Sequence, residues 1–225
     1  MNIKHFKNED LSLEYFIGLA SIRLESNDLR LNELLDIVDK VQFQYKNSTI
    51  QFFNPEKVLN VEHVYNACYF SEKAFKLKFN ISSKKNLEYL LYLSGKRQIK
   101  NALEDFGLND EIINKKSIEC LVISPINNIE KIIDILSINL HLAVENTSLL
   151  NKSLKKLITV KDYFEVSDEQ LFSVLKTRDA NVKEGNLLNA NINELYSALN
   201  DLICEKMVLL SLEKIKFNQW HLLGL

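Results

Sequence analysis

The chain has 225 residues, of which 46% are hydrophobic and 26% are charged, and its formal net charge is −2. This length fits one large domain or two small ones, and it suffices for a hydrophobic core without disulfides or metal ions. Five glycines and two prolines argue against an all-β fold with many tight turns, and no apolar run approaches the ~18 residues of a membrane span.

The elements predicted over the first 136 residues alternate between strands and helices. Strands are indicated by two-residue alternation or by short apolar runs, and helices by apolar side chains three and four positions apart. The predicted elements are strands Tyr15–Leu24, Ile50–Phe53, Leu87–Leu93 and Ile118–Ile123, and helices Leu31–Val41, Val61–Phe75, Gln98–Phe106 and Ile129–Leu136. This order predicts an α/β (α+β) fold, in which a mixed or antiparallel sheet has helices packed around it.

The signals for regular structure weaken after residue 136. A short helix is expected from Asp168, a polar loop at Asn181–Asn193, and strong helical spacing returns over Ile192–Leu212. We therefore expect one domain over residues 15–213 with a long insertion at about 137–193, a flexible N-terminus at 1–14 and a tail at 214–225.

The sequence contains no motif of a known catalytic or metal-binding class. The histidines and cysteines lack the spacing of a metal site, and there is no nucleophile elbow, P-loop or dinucleotide fingerprint. His63 is interpreted as a surface or edge residue, and Cys68, Cys120 and Cys204 as reduced core residues. With no apolar stretch of a secretory signal at the N-terminus, these thiols favour a cytoplasmic location. We expect no enzymatic activity, no metal and no cofactor.

The charged residues are unevenly distributed along the chain. Between Lys73 and Lys100 there are eight lysines and arginines and a single acidic residue, Glu88, which gives a local net charge of +7. The remainder of the chain carries a net charge of −9. A basic cluster of this kind indicates a polyanionic partner, although a solvated lysine face would produce the same pattern.

The sequence LSGKRQIKNAL, Leu93–Leu103, lies at the centre of this basic segment. A buried strand is predicted to end there, Gly95 to turn the chain, and a helix to begin. The first turn of a helix presents unpaired N–H groups and the positive end of its dipole, so cations there favour anion binding. Gly95 would let the backbone approach a ligand closely. An N-cap, a turn and solubilising lysines would explain the same residues.

Two stretches, VLNVEHVYNACYFSEKAF (Val58–Phe75) and LEYLLYLSGKRQIKNALEDFGL (Leu87–Leu108), resemble the small tRNA-recruiting subunit of the KEOPS complex. This is the family that includes the PRPK-binding protein of eukaryotes. The closing LICEKMVLLSL, Leu202–Leu212, is similar to the family's C-terminal helix. The resemblance runs from about Phe16 to Leu212 and is weakest between about Ser137 and Asn193.

The resemblance implies a non-catalytic subunit with two partners. One is the kinase-like ATPase subunit of KEOPS, and the other is the single-stranded 3′ CCA end of tRNA. The complex installs threonylcarbamoyl on the adenosine beside the anticodon, and a different, metal-containing subunit carries out the transfer. Neither a membrane nor DNA is an expected partner.

The residues and the resemblance together predict where tRNA binds. Lysines and Arg97 would neutralise phosphates, Arg97 could also stack on a base, and Gln98 could hydrogen-bond a base edge. The expected tRNA-binding residues are Lys84, Lys85, Gly95, Lys96, Arg97, Gln98, Lys100 and Asn101. Two other functions stay open: a protein–protein scaffold without RNA contact, and a regulatory domain that binds a small molecule or a phosphate.

Overall fold

The computed structural model describes residues 1–24, 29–115, 118–178 and 191–222, and the side chains of all of these except 24, 115 and 213–222. The strands are β1 (Asn2–Asn8), β2 (Leu13–Leu24), β3 (Thr49–Phe53), β4 (Ile118–Ser124) and β5 (Leu142–Glu145). The helices are α1 (Leu31–Gln44), α2 (Val61–Lys76), α3 (Lys85–Ser94), α4 (Ile99–Phe106), α5 (Asp110–Lys115), α6 (Ile129–Leu140), α7 (Leu154–Tyr163), α8 (Asp168–Arg178) and α9 (Ile192–Leu222). Short 3-10 turns lie at Pro55–Lys57 and Ser148–Leu150.

The described strands form one antiparallel sheet in the order β1-β2-β4-β3. β2 is long enough to pair twice along one edge, through residues 13–19 with β1 and through residues 21–24 with β5. Its other edge pairs with β4. The predicted fold class is confirmed: this is an α+β domain, and the sheet is of the antiparallel kind.

Both faces of the sheet are covered by helices. Alternate residues of β4 point to opposite sides, so Leu121 and Ile123 join one buried cluster while Cys120 and Val122 join the other. The first cluster contains side chains of α2, α3, α4, α7, α8 and α9, and the second contains side chains of α1, α5 and α6. A strand buried on both faces reads as a continuous apolar run, which is why Ile118–Ile123 was recognisable as a strand.

The strand predicted at Leu87–Leu93 is wrong, because this segment lies within helix α3. Every residue from Glu88 to Ser94 is buried, so α3 has no polar face. A helix that is buried on all sides shows no helical period in its sequence, and its short apolar run resembles a buried strand. The expected strand–helix alternation is therefore interrupted, and α2, α3, α4 and α5 follow one another without a strand.

Several segments outside the predicted core also have regular structure. Residues 2–8, part of the N-terminus expected to be flexible, form β1, because main-chain bonds to β2 do not require apolar side chains. The expected insertion contains β5, α7 and α8, whose apolar side chains include Leu157 and Leu171 of the first cluster. The loop predicted at Asn181–Asn193 lies mostly outside the described residues, and α9 extends to Leu222 through most of the expected tail. Among the described helices, none combines the length and apolar content needed to cross a bilayer.

Candidate nucleic-acid interface

The structure separates the predicted tRNA-binding residues into two groups at opposite ends of α3. Lys84 and Lys85 lie at its N-terminal end, whereas the other six residues follow its C-terminal end and continue into α4. A helix of ten residues is about 15 Å long. The six residues from Gly95 to Asn101 therefore form one compact group, which we call the basic loop (residues 95–101), and Lys84 and Lys85 lie outside it.

The C-terminal end of α3 is closed by a left-handed residue, Gly95, with φ +64°. Its N–H donates to Tyr92 O at 3.2 Å, and the N–H of Lys96 donates to Leu91 O at 3.2 Å, as in a Schellman motif. The Cβ atom that a larger residue would place at Gly95 would lie 3.2 Å from Phe164 Cε1. Gly95 thus allows a tight helix end and close contact with Phe164, and the expected close approach of a ligand is not what this glycine serves in the fold.

Alanine at position 95 is expected to lower the free energy of unfolding by about 1–2 kcal/mol, since residues with a Cβ are strained in the left-handed region. The contact with Phe164 adds to this strain. Chemical denaturation of Gly95→Ala measures the effect. The matched control is Lys84→Ala at the other end of α3, where the Lys84 side chain makes no capping bond. Equal stability of the two variants would contradict this role for Gly95.

His63 supports the basic loop from beneath, and its sequence-based interpretation as a surface or edge residue is wrong. The side chain is fully buried. Its Nδ1 accepts from Leu59 N–H at 3.2 Å, and its Nε2 lies 2.9 Å from Leu93 O, so the ring carries its proton on Nε2 and donates it to that carbonyl. The ring also makes an edge contact with Phe164. His63 therefore connects the segment before α2 to the end of α3.

The side chains of the basic loop differ in exposure. Arg97, Gln98 and Lys100 are exposed, whereas Lys96 and Asn101 are half-buried. Gln98 is the N-cap of α4, so the cations flank the first turn of that helix. Its unpaired N–H groups and positive dipole end add to their charge. The positions predicted to contact RNA are thus brought together at a helix start, as the sequence indicated.

The positive charge at the other end of α3 is partly neutralised. Lys85 Nζ lies 2.9 and 2.8 Å from the two carboxylate oxygens of Glu72, which also accepts a hydrogen bond from Tyr89. Lys84 is exposed. Glu88, the acidic residue of the basic segment, is buried and accepts the backbone N–H groups of residues 81 and 82. The free positive charge is consequently greater at the basic loop than at Lys85.

Three residues that the sequence did not point to complete this region: Lys57, Asp105 and Tyr163. Lys57 Nζ and Lys96 Nζ lie 4.7 and 5.3 Å from the centre of the Tyr163 ring. Lys57 Nζ also lies 2.5 Å from Asp105 Oδ1, and the Tyr163 hydroxyl donates to Asp105 Oδ2 at 2.8 Å. We call Lys57, Lys96, Asp105 and Tyr163 the Tyr163 cluster. No sequence signal marks it, because 48 and 58 positions separate Asp105 from Lys57 and Tyr163.

The protonation states in the Tyr163 cluster follow from these contacts. Partial burial acts to raise the pKa of Asp105, but the hydrogen bonds from Lys57 and Tyr163 and the charges of Lys57 and Lys96 outweigh it and lower that pKa below its ordinary value. Burial and the bond to Asp105 raise the pKa of Tyr163 well above its ordinary value. Asp105 is therefore an anion at neutral pH, and Tyr163 is a protonated donor.

Two apolar depressions lie away from the basic loop. One, of about 510 Å³, is lined by Cys204, Val208 and Leu209 of α9. The other, of about 190 Å³, is a groove between α1, β3 and α4 that includes Leu35 and Leu103. Exposed aliphatic side chains of this kind are commonly buried in protein interfaces. Within the described residues, no three His, Cys, Asp or Glu side chains are grouped so as to hold a metal ion.

A family model described as kinase binding protein CGI-121 matches residues 27–211. The matched range contains the basic loop, the Tyr163 cluster and both apolar depressions. A search of curated proteins gave no match.

Proposed function

The chain belongs to the kinase binding protein CGI-121 family, and from this premise we propose that it is a non-catalytic accessory subunit of the KEOPS complex. The family match confirms the resemblance drawn from the sequence. In the proposed role, the chain binds the complex's kinase-like ATPase subunit and the 3′ CCA end of tRNA. It thereby contributes to formation of threonylcarbamoyladenosine without carrying out the transfer.

The basic loop is the observation that supports tRNA binding. Lys96, Arg97 and Lys100 flank the first turn of α4, and Gln98 is exposed between them. A single-stranded RNA end requires positive charge for its phosphates and polar or planar groups for its unstacked bases. Arg97 and Gln98 provide the groups for the bases, and the lysines and the helix start provide the positive charge.

Reversal of charge in the basic loop is expected to weaken tRNA binding at least about tenfold, because each phosphate contact with a single strand contributes about 0.7 to the salt dependence of the affinity. The variant is Lys96→Glu/Arg97→Glu, and binding is measured by titration with tRNA at several salt concentrations. The matched control is Lys40→Glu/Lys46→Glu, which changes the net charge equally at exposed positions of α1 and the turn after it. α1 covers the opposite face of the sheet, so this control should bind like the wild type.

The same titration with tRNA lacking CCA tests the identity of the RNA segment. We expect weaker binding of this truncated tRNA by the wild type, and equal binding of both tRNAs would contradict recognition of the 3′ end. Binding that survives charge reversal would favour the scaffold without RNA contact. Competition by inorganic phosphate at a concentration too low to act through ionic strength would favour the phosphate-binding regulatory domain.

Binding of the kinase-like partner is expected to be independent of the basic loop. Neither apolar depression is lined by Lys96 or Arg97, so the charge-reversal variant should retain this partner. The proposed location is the cytoplasm, which is supported by the three free cysteines, since disulfides are rare in reducing compartments.

A further inference from the structure

The geometry points to a larger anion site than the basic loop: we propose that Lys57 and Tyr163 belong to it together with Lys96, and that Asp105 is an internal counter-ion which an RNA phosphate displaces. This inference rests on the proposed function, because it assigns further residues, and a means of limiting affinity, to the same tRNA site.

The charges of the Tyr163 cluster do not balance. Two ammonium groups, those of Lys57 and Lys96, share one aromatic ring and one carboxylate, that of Asp105. The side chains of Lys57 and Asp105 are only 32% and 20% exposed. Charges in such a partly desolvated position interact more strongly and are screened less by salt than charges on an open surface. The cluster therefore has one unit of positive charge left for an external anion.

Tyr163 holds the two lysines in place. Its hydroxyl donates to Asp105 and lies 3.4 Å from Ser94 O, the residue that ends α3. Its ring makes edge contacts with Phe106 and Phe164, at centroid distances of 5.6 and 4.8 Å. With these contacts and two ammonium groups over the ring, a base cannot readily stack on it. We therefore assign Tyr163 as a positioning residue for Lys57 and Lys96 through cation–π contacts.

Asp105 occupies the role that a phosphate would take. Carboxylate and phosphate oxygens carry negative charge and accept hydrogen bonds from the same ammonium donors. When a phosphate reaches Lys96, Asp105 competes for the lysines and repels the incoming anion. Asp105 therefore keeps the cations ordered in the free protein and weakens the binding of RNA to them.

The decisive variant is Asp105→Asn, which removes the negative charge but retains an oxygen that accepts from Tyr163. We expect it to raise the affinity for tRNA at least about threefold at low salt, within the range measured for single charge pairs near protein surfaces. One added phosphate contact would also steepen the salt dependence by about 0.7. The matched control is Glu145→Gln on β5, which removes the same charge beside Arg23 and should leave the affinity unchanged. A merely structural role of Asp105 would lower the affinity instead.

Lys57→Gln gives an independent readout. It should weaken tRNA binding about threefold, whereas Lys40→Gln on α1 should have no effect. Tyr163→Leu should weaken binding as well, and Tyr163→Phe, which keeps the ring, should restore part of the loss. If tRNA binding depends on Lys96 and Arg97 but is not strengthened by Asp105→Asn and not weakened by Lys57→Gln, this inference is overturned and the proposed function stands. A wild-type chain that does not bind tRNA overturns both.

Discussion

Replacement of Glu119 by alanine is expected to lower the free energy of unfolding by about 3–4 kcal/mol, because several buried donors lose their acceptor at once. Glu119 is fully buried on β4. Its Oε1 accepts from the hydroxyls of Ser21 and Ser148, at 2.5 and 2.7 Å, and its Oε2 accepts from the hydroxyl of Thr147 at 2.8 Å. These contacts fasten the segment between β5 and α7 to the sheet. Without the carboxylate, the three hydroxyls are left in a site that solvent does not reach.

The measurement is denaturant unfolding of Glu119→Ala, Glu119→Gln and Glu145→Ala. Glutamine keeps one acceptor oxygen but presents an amide donor in place of the other, so its loss of stability should be intermediate. Glu145 is exposed on β5, and its replacement should change stability by no more than about 0.5 kcal/mol. A loss in Glu119→Ala no larger than that of Glu145→Ala would show that the buried bonds contribute little.

Acidification from about pH 6.5 to 4 is expected to destabilise the chain through His63 by about 3 kcal/mol. Burial lowers the pKa of His63 to about 4; the bond to Leu93 O opposes this shift, and the charge of Lys156 adds to it. Between these pH values the unfolded chain binds a proton that the folded chain does not. The contribution is therefore complete above pH 6.5, is lost as the pH falls to 4, and changes no further below that value.

Comparison of the wild type with His63→Gln isolates this contribution from that of the carboxylates. The variant should be less stable at pH 7, because Leu59 N–H and Leu93 O lose a well-placed partner. Its stability should also fall less steeply between pH 6.5 and 4. His141→Asn is the matched control, since His141 is exposed and adopts a left-handed conformation that asparagine tolerates. Parallel stability curves for the wild type and His63→Gln would contradict the buried neutral histidine.

Elements with one polar and one apolar side, and strands bounded by turn residues, could be read from the residues alone. The alternation in β2, the leucine spacing of α1 and the end of β3 before Pro55 led to the right element types. Asn60 caps α2 as predicted, because its side chain accepts from His63 N–H at 2.9 Å. The Ser94–Ile99 motif likewise indicated both the family and the position of the basic loop. All of these features depend on residues within a few positions of one another.

Other features depend on contacts between distant parts of the chain. α3 resembles a strand in sequence because α2, α4 and α9 all pack around it, and burial on every side removes the polar face that would reveal its period. His63 is buried only because Leu93 and Phe164 lie over it. Lys57, Lys96, Asp105 and Tyr163 meet only after α7 packs beside the 3-10 turn and α4. Local periodicity and capping preferences carry no information about such encounters, since they are set by how the helices pack on the sheet.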